Sequence, residues 1–309
     1  MKKYANLIIV IMSFIILILI FLNKSLVSNT IILSLYIWFN TLVPSMFPMF
    51  VLSDILINYH FIDYIPKYIK MFIAKVFNIS ESGVLVLLLS LISGFPSNGI
   101  NIKSAYDMHL LSKEECEHLL LFNHFANPLL VLQTIGVFYL NNSNYGIIIL
   151  ISHILSNIII GILFRKRNYP TNTNYIANNK KSQSFGYVLS SSINKSINTL
   201  LMISGTVTLF LILSTLISNI FNLNVYLDVL AKGILEMTMG LSSLSSVPIN
   251  DIYKIIFSTM FISFGGLSIH LQVMTSLGED IRYKNYFKGR IYQTLISGII
   301  SYIVMLIIF

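Results

Sequence analysis

Residues 88–104, LLSLISGFPSNGINIKS, form an apolar run that is interrupted near its middle by Gly94 and Pro96. A second apolar run, FISFGGLSIHLQVMTS at residues 261–276, is interrupted by Gly265 and Gly266. Such breaks free backbone groups that lipid cannot bond, so inside a membrane they must face protein or a wet cavity. Both runs therefore predict re-entrant hairpins or broken helices, with their tips at the glycines.

The rest of the chain is apolar enough to lie in lipid. Of its 309 residues, 55% are hydrophobic and only 10% are charged, compared with about 25% charged residues in an ordinary soluble domain. Helices of about 20 residues cross a hydrocarbon core of roughly 30 Å. Uncharged runs of about that length or longer lie at residues 4–23, 25–53, 82–102, 118–164, 196–227, 255–278 and 291–309. The sequence thus predicts an all-α polytopic membrane protein, an inverted-repeat transporter-like bundle with about six spans and two re-entrant hairpins.

A polar segment, NYPTNTNYIANNKKSQS at residues 168–184, divides the chain into two apolar halves. We predict an N-terminal membrane helix at residues 1–24, a first membrane repeat at 25–167, a cytoplasmic linker at 168–195 and a second membrane repeat at 196–309. Short similar sequences in the two halves, such as FNTL at 39–42 and INTL at 197–200, support two repeats. Such repeats are typical of transporters. Partly charged segments at 64–78 and 227–246 predict helices at the membrane interface or beside the bundle.

The orientation follows from the positive charges that border the apolar runs. Lys2 and Lys3 precede the first run, and the cations of residues 165–167 follow a later one, which favours the cytoplasm for both. Threading the spans between them makes the second half run opposite to the first, so we predict inverted repeats. The cations at residues 282–290 then lie outside, against the positive-inside tendency. Because the net charge of +8 lies mostly in such short segments, we predict no nucleic-acid partner.

Three ordered motifs resemble a known family. Residues 93–130, SGFPSNGINIKSAYDMHLLSKEECEHLLLFNHFANPLL, are similar to sporulation integral membrane proteins of the YlbJ or SpoVV type. The resemblance continues in LEMTMG at 235–240 and in GGLSIHLQV at 265–273, which is followed by DIRYKNY at 280–286. These proteins resemble nucleoside-recognition gate domains and, more distantly, concentrative nucleoside transporters. The resemblance implies movement of dipicolinate, pyridine-2,6-dicarboxylate, from the mother cell across the outer forespore membrane during endospore formation.

Two other functions stay open at this point. One is a proton- or cation-coupled nucleoside transporter of the same architecture, and the other is a non-transporting assembly protein of the sporulation membrane. We predict no enzymatic activity, no catalytic residue, no metal site and no cofactor, since the sequence has one cysteine, Cys116, and no phosphate loop or hydrolase motif. The predicted partners are the small anionic substrate, the lipid bilayer and a coupling proton or cation. A homo-oligomer is left open.

A planar dianion needs hydrogen-bond donors in a modest positive field, which helix N-termini at broken segments supply. The candidates for substrate binding lie at the two breaks and in the motifs that follow them. They are Gly94, Pro96, Ser97, Asn98, Asn123, Asn127, Gly265, Gly266, Ser268, His270 and Gln272. The structural alternatives are close helix packing for the small residues and interhelical hydrogen bonds for the amides and the histidine.

Several of these residues carry a geometric prediction. Asn123 and Asn127 are four residues apart, so on one helix face both would point into a cavity before Pro128. If the halves are inverted, Ser97 and Ser268 approach one another at the two tips near the bilayer midplane.

Asp54 and Glu236 are the carboxylates that we predict to lie deep in the bundle, as candidates for binding a coupling proton or cation. For Glu236, an ion pair with Lys232 four residues earlier is the structural alternative. The run at residues 112–118, with Glu115 near its start, predicts a capping box at the beginning of a solvated helix.

Overall fold

The computed structural model describes residues 2–59, 61–165 and 184–308. Within these ranges the regular structure is helical, without strands. The α-helices are α1 (Lys2–Leu22), α2 (Lys24–Ile37), α3 (Val43–Asn58), α4 (Lys67–Phe77), α5 (Glu81–Ser93), α6 (Ser97–Asp107), α7 (Lys113–Phe122), α8 (Ser143–Leu163), α9 (Phe185–Ile220), α10 (Val225–Leu235), α11 (Met237–Ser245), α12 (Asp251–Phe264), α13 (Gly266–Leu277) and α14 (Lys284–Ile308). Two π-helices, Trp38–Leu42 and Leu130–Tyr139, and one 3-10 turn, Phe61–Tyr64, complete the order.

The fold is a polytopic helical bundle, as predicted. By length and composition, five of its helical stretches could each cross a membrane. These are Lys24–Asn58, Ser143–Leu163, Phe185–Ile220, Asp251–Leu277 and Lys284–Ile307. Helices α4 and α5 meet at 93° and would make a sixth span if they were counted as one broken element.

The long helices of the two halves run in opposite directions. The indole nitrogen of Trp38 donates to the carbonyl of Leu200 at 2.9 Å, close to the middle of the first span. Asp54, near the end of the same span, pairs with Lys195 at 2.5 Å, earlier along α9. Because the residue numbers rise on one helix while they fall on the other, the two are antiparallel. This is the arrangement that inverted repeats require.

The second hairpin is formed by α10 and α11 rather than at the double glycine. A Cβ atom on Gly240 would lie 2.3 Å from the Cα of Gly233, whereas residues seven apart in a continuous helix are separated by about 10 Å. The chain therefore folds back at Glu236, between the two helices. The segment 227–246, predicted to form helices at the interface or beside the bundle, is a hairpin, because two facing glycines let α10 and α11 pack together.

At Gly265 and Gly266 the structure has a broken helix, one of the two predicted alternatives, and not a hairpin tip. The stretch Asp251–Leu277 is one candidate span, and the left-handed conformation of Gly265, with φ +88°, interrupts α12 and α13 without folding them back. The first hairpin is where the sequence predicts it. Helices α5 and α6 pack against each other, and Gly94 to Pro96 form the turn.

The long apolar run at residues 118–164 contains a break that the sequence analysis did not anticipate. Helix α7 ends at Phe122, the chain is non-helical from Asn123 to Asn127, and the π-helix follows. The placement of Asn123 and Asn127 on one helix face is therefore wrong. We call Asn123–Asn127 the unwound segment.

Helix α9 begins at Phe185, so residues 185–195 of the predicted linker form the first turns of a long helix. The rest of that linker lies almost entirely in residues 166–183, outside the described residues.

The acidic helix α7 is not solvated, contrary to our prediction. Ser112 does cap it, since its hydroxyl accepts from the backbone N–H of Glu115 at 3.2 Å. The Glu115 carboxylate, however, is buried and accepts from the backbone N–H of Ser80 at 2.6 Å, at the start of α5. This carboxylate thus stabilises a neighbouring helix N-terminus instead of completing its own capping box.

Candidate functional site

The unwound segment lies between the first hairpin and the break in the second half. The backbone N–H of Phe95 donates to the carbonyl of Phe125 at 2.8 Å. The ring of His124 stacks on Phe95 with a centroid distance of 4.8 Å. From the other side, a Cβ atom on Gly265 would lie 3.2 Å from the Nε2 atom of His124. His124 therefore lies where the broken elements of both halves meet.

Gly94 lets the first hairpin approach the unwound segment closely. Its φ is +74°, a conformation that costs other residues energy. A Cβ atom there would lie 2.4 Å from the backbone nitrogen of Asn127. Position 94 therefore requires glycine, because the backbone of the unwound segment lies directly against it. This agrees with the structural alternative of close packing.

Asn98 and Asn123 form hydrogen bonds that connect the first hairpin to the unwound segment. The Nδ2 atom of Asn98 donates to the carbonyl of Asn123 at 3.1 Å, and the Asn123 amide donates to Ser90 at 2.9 Å. The Oδ1 atoms of Asn98 and Asn123 are buried and make no hydrogen bond. Asn127 instead uses its Oδ1 atom to accept from the N–H of Leu129 at 2.9 Å, at the start of the next helix. Asn98 and Asn123 thus each keep one acceptor without a partner.

Glu236 forms the tip of the second hairpin and is buried. Its backbone is extended, and its Oε2 atom accepts from the hydroxyl of Thr238 at 2.5 Å and from the N–H of Met239 at 2.9 Å. These bonds cap α11. The alternative ion pair with Lys232 is wrong, because Lys232 pairs with Asp228 at 2.6 Å.

The break in the second half touches this tip. A Cβ atom on Gly266 would lie 2.9 Å from the backbone nitrogen of Met237. Ser268 is completely buried, and its hydroxyl lies close to the Glu236 carboxylate and has no other partner among the described residues. Gly265 and Gly266, although they are not a hairpin tip, therefore bring α13 against the actual tip.

His270 and Gln272 are held by neighbouring helices. The Nε2 atom of His270 lies 3.0 Å from the carbonyl of Phe264, and its Nδ1 atom bonds the hydroxyl of Tyr283. Gln272 donates to the hydroxyl of Thr206 at 2.5 Å, while its own Oε1 atom has no partner. Both ring nitrogens of His270 are thus occupied, and Gln272 keeps one free acceptor.

Arg290 is a central residue that sequence analysis missed. It is completely buried in α14, and it donates to the carbonyl of Leu121 at 3.1 Å and to that of Ser263 at 3.4 Å. It also bonds the side chain of Gln293. Among the described residues, no carboxylate pairs with it. Its two carbonyl partners lie in the last turns of α7 and α12, whose negative dipole ends favour a cation.

Arg290 also changes the topology argument. It belongs to the group of cations at 282–290 that the sequence places in a loop against the positive-inside tendency. Because the Arg290 side chain is buried and bonded to two helix ends, it does not count among the loop cations that indicate orientation. No signal in one sequence separates it from its exposed neighbours Arg282 and Lys284.

A polar network from α8 and α14 surrounds the unwound segment. His153 accepts from the N–H of Ala126 at 3.0 Å, and Asn157 donates to the carbonyl of His124 at 2.6 Å. The hydroxyl of Tyr286 lies 3.0 Å from the Nδ1 atom of His124. These bonds satisfy the backbone groups that the missing helical turn leaves free.

Asp54 and Ser97 lie together at a separate place. Both line a small cavity of about 30 Å³ between α3, α6 and α9. Asp54 pairs with Lys195 and accepts from the hydroxyl of Ser192 at 2.9 Å. The two coupling candidates therefore have different surroundings, because Glu236 lies at the second hairpin.

Ser97 and Ser268 differ in access, which gives a first prediction. In a Cys116→Ser background, we expect the cysteine of Ser97→Cys to react with a small water-soluble maleimide at least about tenfold faster than that of Ser268→Cys. Ser97 lines the cavity and is partly exposed, whereas Ser268 is completely buried. The rates are measured by mass shift in detergent, with full labelling after denaturation as the control. Equal rates would contradict this placement of the two serines.

These features define the class: a multi-pass helical membrane protein in which two helical hairpins, one interrupted span and the unwound segment meet at one polar centre. Residues 39–143, which include the first hairpin and the unwound segment, match the family described as Gate, nucleoside recognition. The chain is 26% identical over 302 residues to the sporulation integral membrane protein YlbJ of Bacillus subtilis (strain 168), covering 86% of this chain and 74% of that protein. No solved structure matches the chain. The resemblance inferred from the three motifs is confirmed by these matches.

Proposed function

We propose that this protein is a sporulation membrane transporter that moves dipicolinate from the mother cell across the outer forespore membrane. The observation that carries the proposal is the meeting of two hairpins and one interrupted span at the unwound segment. Transporters build substrate sites near the bilayer midplane from discontinuous helices of this kind. A protein with a purely structural role has no need of so much irregular backbone in its interior. The similarity to a sporulation membrane protein supports the biological setting.

The charges at the centre favour an anion. Arg290 is a buried cation without a carboxylate partner among the described residues, and it lies in the helix that contacts His124 through Tyr286. The N-terminus of α6, preceded by Pro96, has no side-chain cap. Uncapped N–H groups and a nearby cation both stabilise a carboxylate.

One observation favours a nucleoside as the second candidate. The free Oδ1 atoms of Asn98 and Asn123 and the free Oε1 atom of Gln272 are acceptors. Acceptors suit the hydroxyl groups of ribose, whereas a dianion offers them no donor. The family that matches residues 39–143 is also described by nucleoside recognition.

Uptake by the purified protein in liposomes separates the candidates. We expect labelled dipicolinate to accumulate and labelled uridine to stay outside, with protein-free liposomes as the control. In the sporulating bacterium, deletion of the gene should leave spores poor in dipicolinate while its synthesis in the mother cell continues. Uridine uptake alone would establish the nucleoside alternative. Normal spore dipicolinate together with no uptake of either compound would favour a role in membrane assembly.

Glu236 is the stronger of the two coupling candidates. We expect Glu236→Gln to lower the initial rate of uptake at least about tenfold, whereas Asp54→Asn should lower it less than about threefold. Glu236 lies buried at the tip of the second hairpin, close to the hydroxyl of Ser268, where a proton or cation would bind. Asp54 already has a cation, Lys195, as its partner. The comparison requires equal amounts of inserted protein for all variants.

The control for Glu236→Gln is Glu114→Gln, which makes the same change on an exposed face of α7. Unchanged uptake by Glu236→Gln over a range of pH values would assign Glu236 to helix capping alone.

A further inference from the structure

The cavity between α3, α6 and α9 is polar and holds unsatisfied groups. Its volume of about 30 Å³ leaves room for roughly one water molecule. The hydroxyl of Ser53, in a residue that is 3% exposed, has no hydrogen-bond partner. The Nδ2 atom of Asn101 also has none. Buried donors without partners favour a ligand that accepts hydrogen bonds.

The N-terminus of α6 adds a positive field at the same cavity. Ser97, the first residue of this 11-residue helix, lines the cavity. Pro96 precedes it and supplies no side-chain cap, so the first N–H groups of the helix lack a side-chain acceptor. A carboxylate is the kind of group that binds at such an end.

The ion pair of Lys195 and Asp54 closes the cavity on the side of α9. The Lys195 side chain is 52% exposed, whereas that of Asp54 is 11% exposed. Asp54 also accepts from Ser192 at 2.9 Å and from the amide of Asn58 at 3.2 Å. If Lys195 turned away, the Asp54 carboxylate would keep two donors. The long lysine side chain is therefore the movable member of the pair.

We propose that Lys195 leaves Asp54, which opens this cavity on the side of α9, and that the lysine pairs with a carboxylate group of the transported anion that enters it. The identification of the ligand as the transported anion rests on the proposed function. Asp54 is then a competitor of the ligand for the same ammonium group. The N-terminus of α6 and the amide of Asn101 complete the set of donors.

The competition gives two substitutions opposite effects. Lys195→Gln removes the cation, so the dissociation constant for a carboxylate ligand should rise about tenfold, the effect of losing one charge-assisted hydrogen bond. Asp54→Asn removes the competing carboxylate and its repulsion, so the dissociation constant should fall severalfold. A merely structural ion pair would predict equal effects of the two substitutions, both acting through loss of folded protein.

Equilibrium binding to the purified full-length protein tests the site. The probes are labelled dipicolinate, labelled phthalate as a planar dicarboxylate without the ring nitrogen, and labelled uridine as a neutral compound of similar size. The matched control is Lys232→Gln, because Lys232 pairs with Asp228 away from the cavity. Lys195→Arg keeps the charge and should bind both dicarboxylates within about threefold of the parent. Each variant must elute from a size-exclusion column as one symmetrical peak, which shows that it is folded.

The outcomes separate this inference from the proposed function. Weaker dicarboxylate binding by Lys195→Gln and tighter binding by Asp54→Asn establish the site, even if liposomes show no uptake. Uptake of dipicolinate together with unchanged binding by Lys195→Gln overturns the site and leaves the function standing. Binding of neither dicarboxylate by the parent protein overturns the site, as does a uridine affinity that changes with Lys195 as strongly as the dicarboxylate affinity.

Discussion

Arg290→Met is expected to reduce the yield of folded protein to less than about a tenth of the parent's. The guanidinium bonds the carbonyls of Leu121 and Ser263 and the side chain of Gln293. Methionine fills similar space but leaves these buried acceptors without a donor, at about 1–3 kcal/mol each. Replacing a whole buried ion pair by apolar residues is often harmless. Here the partners are backbone carbonyls, which no second substitution removes.

The measurement is the fraction of protein that elutes as one symmetrical peak after heating in detergent. Arg282→Met is the matched control, because Arg282 is exposed in the same charged stretch. Arg290→Lys should fall between the two, since a compact ammonium group cannot reach both helix ends as a planar guanidinium does. If Arg290→Met is as stable as Arg282→Met, the two helix ends do not depend on Arg290.

Gly94→Ala is expected to abolish uptake, to below about a twentieth of the parent's rate. The added Cβ atom would lie 2.4 Å from the backbone nitrogen of Asn127, and φ at this position is +74°. Neither strain is relieved by a change of rotamer, because the obstacle is backbone. The first hairpin must therefore move away from the unwound segment, which opens the centre of the proposed site. Initial rates in liposomes, corrected for the amount of inserted protein, measure the effect.

Gly205→Ala is the matched control for this loss. Gly205 lies inside α9 and a Cβ atom there meets nothing within 4 Å, so alanine should be neutral or should stabilise the helix by up to about 1 kcal/mol. Gly265→Ala should have an intermediate effect, since its Cβ atom would meet only the ring of His124 at 3.2 Å, although φ is +88°. Normal uptake by Gly94→Ala would show that the hairpin and the unwound segment need not touch.

The two glycine breaks were predicted as re-entrant hairpins or broken helices, and the structure has one of each. Gly94 and Pro96 interrupt an apolar run, and the structure has a hairpin turn there. Gly265 and Gly266 give the same signal, yet they lie within one candidate span. The second turn is at Glu236, in a segment whose charges suggested the membrane interface. Asp228 and Lys232 neutralise each other four residues apart on α10, so charge alone does not place this segment at the surface.

The sequence by itself determined the class of the protein, because the length and the apolar character of each run decide whether a helix fits in lipid. It also determined the first hairpin, since glycine and proline act on their own backbone. Only the tertiary structure decided the unwound segment, the burial of Arg290 and the pairing of Asp54 with Lys195. Each of these depends on residues more than 100 positions away, such as Leu121 for Arg290 or Lys195 for Asp54. The physical reason is that a buried polar group is stable only beside its partner, and a single sequence does not state which distant partner packing will supply.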